Sequence, residues 1–238
     1  MDRADVMTVF GYYGVTSGNS NRRFVTTWGN AYFENGLGTH AEVHFMDREE
    51  RAAYAAGGVS WGRDFGEIRG WLGSSTENAG ILPALYARIE GSYRTSPQTG
   101  LVFRPALTYR NFRNGAQDAT AELEIAKYVS LPLGSLILTC LARAMVTDPG
   151  DHTSASFGAG LIYAQTGRAS AGFTIEGGRA KYDGLLTPAR LNESYLSVRP
   201  TVSFYLTDSV ELIGLAEYSS QESYDAFGGY VGLKVRFD

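Results

Sequence analysis

Apolar and polar residues alternate with a period of two through most of this chain, and that pattern restricts it to strands with two chemically different faces. Over residues 153–165, Thr153, Ala155, Phe157, Ala159, Leu161 and Tyr163 share one face, while Ser154, Ser156, Gly158 and Gly160 share the other. Residues 195–206 set Leu196, Val198, Pro200, Val202, Phe204 and Leu206 against Tyr195, Ser197, Arg199, Thr201, Ser203 and Tyr205. The last segment separates Phe227, Val231, Leu233, Val235 and Phe237 from Tyr230, Lys234, Arg236 and Asp238. The same reading holds for Leu85, Ala87, Ile89 and Tyr93 against Tyr86, Arg88, Glu90 and Arg94, and for Leu101, Phe103, Leu107 and Tyr109 against Arg104, Thr108 and Arg110. Segments 6–16 and 22–33 alternate less regularly.

Turn residues between these runs predict about fourteen strands, near 5–16, 22–34, 38–48, 52–63, 66–75, 83–95, 100–113, 118–130, 135–147, 152–166, 168–182, 193–207, 209–221 and 225–238. Twelve or sixteen strands would also satisfy the spacing. An even count puts both termini at one end. The longest connections, near 76–82 and 183–192, then fall at the opposite end, and only short turns such as Thr166-Gly167 lie beside the termini. Residues 1–238 read as a single domain with no linker, low-complexity run or helical repeat.

Composition narrows the architecture. The chain has 29 Gly, 15 Tyr and 12 Phe against 7 Pro, a strand-rich and turn-rich profile, and no run approaches the roughly 18 apolar residues of a membrane helix. A soluble sandwich or lipocalin-like barrel also alternates, but it must bury its apolar face. Fourteen strands enclose a lumen too wide for side chains to fill as a dry core, so the apolar face belongs outside, against lipid. The expected fold is therefore all-β: a closed antiparallel transmembrane β-barrel with short periplasmic turns. A net charge of -4 argues against a nucleic-acid partner. Cys140 is the single cysteine, so no intramolecular disulfide exists. The N-terminus Met1-Asp2-Arg3-Ala4-Asp5 has no apolar stretch and is no signal peptide, so on the barrel reading the chain is a mature form whose export signal is taken as removed. The expected location is the bacterial outer membrane.

The C-terminal residues Tyr230-Val231-Gly232-Leu233-Lys234-Val235-Arg236-Phe237 resemble the assembly signal of bacterial outer-membrane proteins. In that signal a polar residue is followed by glycine two positions on, then by two hydrophobic positions separated by one residue, the last aromatic. Gly232, Val235 and Phe237 match, Tyr230 stands at the polar position, and Asp238 extends one residue beyond the aromatic end. The chain as a whole resembles Gram-negative outer-membrane barrels, and among them YaiO-type barrels and the barrel domains of exopolysaccharide exporters. That resemblance implies barrel assembly machinery, outer-membrane lipid and lipopolysaccharide as partners, and an exported polysaccharide or small polar solute as cargo. The exporters carry helical repeats ahead of the barrel, and this sequence has none.

By parity, the inward-facing charges are the candidate pore-lining residues: Glu42, Arg88, Glu90, Arg94, Arg104, Arg110, Glu122, Glu124, Arg143, Glu176, Arg199, Glu211, Glu217, Lys234 and Arg236, with Arg48 and Arg69 on the same face. They could line a hydrated passage, or pair across strands and brace the wall. The expected function is a passive polar channel with a relatively open mouth. The alternatives are a sealed structural barrel and an outer-membrane lipid hydrolase or deacylase. No cofactor, metal or catalytic residue is expected: His40 and His44 share a strand face, but about 13 Å of strand separates them. Trp28, Tyr32, Trp61, Phe65, Trp71, Tyr93 and Tyr109 lie toward strand ends and read as interface anchors, with sugar stacking as the role of any that face inward. Cys140 reads as a small lipid-facing hydrophobe. Lys127 also falls on the outward parity, where only a position near a strand end lets it snorkel.

Overall fold

The computed structural model describes residues 3–15, 21–47, 51–76, 82–96, 100–148, 152–180, 193–222 and 224–237. Its strands are β1 (Arg3–Val15), β2 (Arg22–Tyr32), β3 (Leu37–Asp47), β4 (Arg51–Arg63), β5 (Gly66–Ser75), β6 (Leu85–Arg94) and β7 (Leu101–Asn111), followed by β8 (Gln117–Leu131), β9 (Gly134–Asp148), β10 (His152–Gln165), β11 (Ala169–Ala180), β12 (Glu193–Thr207), β13 (Val210–Gln221) and β14 (Asp225–Phe237). Each pairs antiparallel with its chain neighbours, and β1 pairs with β14 over Ala4–Phe237 to Val15–Ala226 to close the barrel. Closure leaves no row of unpaired backbone groups, the condition for a sheet in hydrocarbon. Strands of 10 to 15 residues are long enough to cross a bilayer core when tilted.

Two observations identify the outer face. Phe157, Leu196, Val202 and Val231 are 69%, 53%, 43% and 58% exposed, so the apolar parity is not packed in a dry interior. The other parity carries ion pairs that skip a strand: Arg88 on β6 meets Glu122 on β8, and Arg143 on β9 meets Glu176 on β11. On a curved sheet, side chains of next-nearest strands converge only on the concave side, so this is the inner wall. The intervening strands present Thr108 on β7 and Ser156 on β10, residues small enough to let the longer side chains meet above them.

Pro105 and Pro200 lie inside strands on the outer parity. Pairing lapses between Glu90–Ala106 and Tyr93–Phe103 in one ladder, and between Val198–Tyr218 and Thr201–Leu215 in the other. Proline has no N–H to donate, so one neighbouring ladder lapses at each site. The termini share one end, called here the turn side, with connections 33–36, 64–65, 95–100, 132–133, 166–168 and 208–209. The opposite, loop side carries 76–84 and 181–192; the latter, read as a long loop from sequence, lies outside the described residues. Cys140 is exposed on the outer parity beside Ile125 and Ala159. Lys127 also faces outward, opposite Leu101 at the first position of β7, a turn-side location from which its amine can reach the interface.

Candidate functional site

The inner wall from β5 to β12 carries a girdle of alternating charge. Arg69 lies 2.8 Å from Glu67 and 3.8 Å from Glu90, and Glu90 lies 2.9 Å from Arg88. Arg88 reaches Glu122 at 2.8 Å, and Arg143 bridges Glu122 at 3.3 Å to Glu176 at 2.6 Å. Glu176 also pairs with Arg199 and accepts hydrogen bonds from Ser156 (3.0 Å) and Tyr195 (2.7 Å). Only 2% exposed, Glu176 is satisfied by four donors, which offsets the cost of holding a carboxylate out of water.

The other inward charges flank this girdle. Arg104 pairs with Glu124 and donates to the Tyr128 hydroxyl at 2.7 Å, and Arg110 lies 2.8 Å from Asp118. Arg236 lies 3.2 Å from Glu211, Lys234 3.7 Å from Asp5, and Ser197 donates to Glu217 at 2.8 Å. Glu42 sits half-buried between the two histidines on the inner parity of β3. Arg94, at the turn-side end of β6, has no ion-pair partner among the described residues. Arg48 lies outside the described residues. The sequence reading omitted Asp5, Glu67 and Asp118. Each shares parity with recognised inward positions, so alternation against Val6, Ile68 and Ala119 would have found them.

The remaining arc, β13 through β4 across the closing seam, is lined differently. A Cβ at Gly11 would collide with the ring of Phe24, and one at Gly232 with a methyl of Val9, so glycine on the wall lets neighbouring side chains lie flat against it. For Gly232 this is a packing role that stands beside its match to the assembly signal. His44 Nδ1 lies 2.6 Å from Thr26 Oγ1, and His40 Nδ1 lies 2.8 Å from Asn30 Oδ1. Asn30 Nδ2 donates to Asp5 at 2.7 Å, so the amide oxygen accepts from a protonated His40 Nδ1. These separate partners leave the histidines in structural hydrogen bonds rather than in a shared relay or ligand set. The aromatic residues divide by parity. Trp61, Tyr93 and Tyr109 are exposed on the outside and Phe65 is exposed in the turn between β4 and β5, whereas Trp28, Tyr32 and Trp71 face inward, which corrects the reading of these three as interface anchors. His40 contacts two of them, with ring centroids 5.7 Å from Tyr32 and 5.1 Å from Trp71.

At the loop side, described residues cover part of the inner wall. Leu82 is fully buried against Met46, Ala52, Tyr54 and Ala56, with Trp71 and Tyr86 beside it. Ser75 and Ser74 hydroxyls donate to the carbonyls of Leu82 and Ala84 at 3.4 and 2.7 Å. Pro83 and Phe112 are likewise buried, and Arg113 donates to the Ser75 carbonyl at 3.0 Å. The inner wall of β3 to β6 is apolar here, so Leu82 gains more by covering it than by standing in water. On the turn side a cavity of about 780 Å³ remains. Its lining runs from Phe33, Asp64 and Phe65 at the turns inward to Arg88, Glu122 and Leu141, with Arg94, Arg104, Tyr32 and Tyr128 on its walls.

A closed antiparallel barrel with a greasy exterior, an ion-paired interior and its shorter connections at the end that holds the termini has the fold of bacterial outer-membrane β-barrels. No family model and no curated protein matches the sequence. Solved structures do match over almost the whole chain. A bacterial polysaccharide outer-membrane secretin aligns with TM-score 0.62 at 9% identity, covering 99% of this chain and 98% of that one. The outer-membrane protein Omp33 of Acinetobacter baumannii aligns with TM-score 0.56 at 11% identity, covering 99% and 98%. The KdgM porin in complex with disordered oligogalacturonate aligns with TM-score 0.54 at 9% identity, covering 98% and 99%.

Proposed function

We propose that this barrel stands in the outer membrane of a Gram-negative bacterium and gives passive passage to a polar, hydroxylated solute, a small sugar or an exported polysaccharide segment. The observation that carries this reading is the turn-side cavity of about 780 Å³, bounded by Arg69, Arg88, Arg104, Glu67, Glu90 and Glu122 and continuous with the charged girdle. Such a wall offers donors and acceptors to every hydroxyl that passes, and each ion pair can exchange one partner for a hydroxyl without leaving a charge bare. Tyr32, on the wall of the cavity, adds stacking surface for a sugar ring. The oligogalacturonate held by one protein of the same fold, and the polysaccharide named for another, support a carbohydrate cargo.

A sealed, braced barrel is the second reading, favoured by the burial of Leu82, Pro83 and Phe112 at the loop side. Conductance in planar bilayers separates the two. The channel reading expects a small steady current that oligosaccharide added on the turn side reduces. If wild-type barrels carry no current, and replacing Arg88, Arg104 and Arg199 with small neutral residues opens one, those arginines close the lumen and the channel reading fails.

A further inference from the structure

The inner parity of β3 runs Gly38, His40, Glu42, His44 and Met46, and of these only Glu42 is not buried, so it alone keeps contact with the lumen. Its charge is also treated differently from the others nearby. Asp5, Glu67, Glu90 and Asp118 each lie 3.7 Å or less from a lysine or arginine nitrogen. Glu42 has no ion-pair partner among the described residues. The arginines beyond it on the wall are already taken, Arg88 by Glu90 and Glu122 and Arg110 by Asp118.

What surrounds this carboxylate is aromatic. Trp28 is its register partner on β2, and the indole N–H donates a hydrogen bond to it. On the other side its partner is Ala56, followed across the sheet by Gly73 and then Tyr86. Two such small residues leave room on the concave wall, and Tyr54 and Tyr86 lean into it over β5. Their rings meet edge to face with centroids 5.8 Å apart, and a Cβ at Gly73 would stand 2.6 Å from the Tyr54 hydroxyl. Both tyrosines are close enough to feel the Glu42 charge. Leu82 clusters with Tyr54 and Ala56 toward the loop side, so the approach to Glu42 is from the lumen.

We infer that Glu42, Trp28, Tyr54 and Tyr86 form a binding site on the lumen wall for an alkylated ammonium ion, of the methylated or quaternary amine class. A half-buried carboxylate with no cation beside it is costly, and a bound cation removes that cost. A cation held at Glu42 also lies among π systems, whose negative faces attract an alkylammonium that sheds its weakly held water readily. A divalent metal ion is a poor occupant, because calcium seeks about six to eight oxygen ligands and the site offers one carboxylate. Among the described residues no three His, Cys, Asp or Glu side chains come together to hold one. His40 and His44 flank Glu42 but are buried, with Nδ1 engaged by Asn30 and Thr26, so they serve as walls. This site is distinct from the charged girdle and does not depend on whether the lumen conducts.

The test is isothermal titration calorimetry of the refolded barrel in a maltoside detergent, which carries neither charge nor a choline head, with choline chloride as the probe. The expected result is saturable binding of one choline per barrel that an equal concentration of sodium does not displace. The neutral carbon isostere of choline should not bind. Glu42→Gln, which keeps the shape and an acceptor for Trp28, should weaken choline about tenfold, the size of one lost charge-assisted contact. Tyr86→Leu should weaken it roughly fivefold, whereas Tyr86→Phe, which keeps the ring, should stay within about twofold of wild type. That tyrosine pair decides the question if Glu42→Gln fails to fold. Glu34→Gln, in the exposed turn between β2 and β3, should change nothing. No choline binding, equal binding of the neutral isostere, displacement by sodium, or unchanged affinity in Glu42→Gln would each overturn the proposal. A barrel that binds choline but carries no current keeps this site and loses the channel reading.

Discussion

The two arcs of the inner wall solve the same problem with opposite chemistry. From β5 to β12, every carboxylate of the girdle is held by arginine, and Glu176 alone is held by Arg143, Arg199, Tyr195 and Ser156. From β13 to β4 the ion pairs Lys234–Asp5 and Arg236–Glu211 lie toward the turn-side ends, and much of the remaining wall is faced by Val9, Phe24, Trp28 and Tyr54, lying partly over glycine. The first arc gains rigidity from charge that is nearly self-neutral and the second from shape. The contrast teaches that an interior can be polar without being uniformly wet: water and hydroxyl groups compete for the first arc, while the second accepts ring faces or the loop residue Leu82.

The comparison breaks most readily at Glu176. Glu176→Ala leaves Arg199 without its carboxylate and Arg143 with Glu122 alone, and reversible urea unfolding in micelles should show a loss of about 3 kcal/mol, at the low end for a buried pair because the arginines are partly solvated. A loss below about 1 kcal/mol would mean that solvent already shields the girdle. Phe24→Ala, the counterpart in the other arc, should cost about 2 kcal/mol, less than a core phenylalanine because the ring is only half-buried. If it costs more than Glu176→Ala, the aromatic arc is the stronger brace. Leu82→Ala should also cost about 2 kcal/mol, the low end for a buried leucine, while raising unitary current roughly twofold, since the side chain is fully buried over the inner wall; an unchanged current would place the narrowest point at the arginines instead. Lys127→Met, outside both arcs, should stabilise by about 0.5 kcal/mol, the expected size for removing a charge near the interface of a barrel. A gain beyond 2 kcal/mol would put Lys127 at the membrane midplane.

The strands were legible because their polarity contrast is strong. The run 66–75 coincides with β5, and 118–130 lies within one residue of β8 at each end. β1 and β2 alternate less clearly because Val9, Tyr13, Phe24 and Trp28 make their inner face as apolar as their outer one, so period two persists in the backbone but not in hydropathy. The facing of Arg143 and Glu176 could be read from parity; their meeting could not, since it depends on Ser156 being small on a third strand. Leu82 was hidden for another reason. Together with Pro83 it precedes an alternating run and reads as the approach to a strand, and nothing local says that it turns back over Tyr54 and Trp71.

The pairs that skip a strand also bear on how the barrel comes together. Arg88 and Glu122, or Arg143 and Glu176, never belong to one hairpin, so neither contact exists until three consecutive strands lie side by side with the sheet already curved. The β6–β7 hairpin alone carries Arg88 without Glu122, and the β9–β10 hairpin carries Arg143 without Glu176, so each added strand settles the one placed two steps before it. Assembly is thereby rewarded for curvature rather than for pairing alone, which favours a sheet that bends toward closure over one that grows flat and exposes its edges.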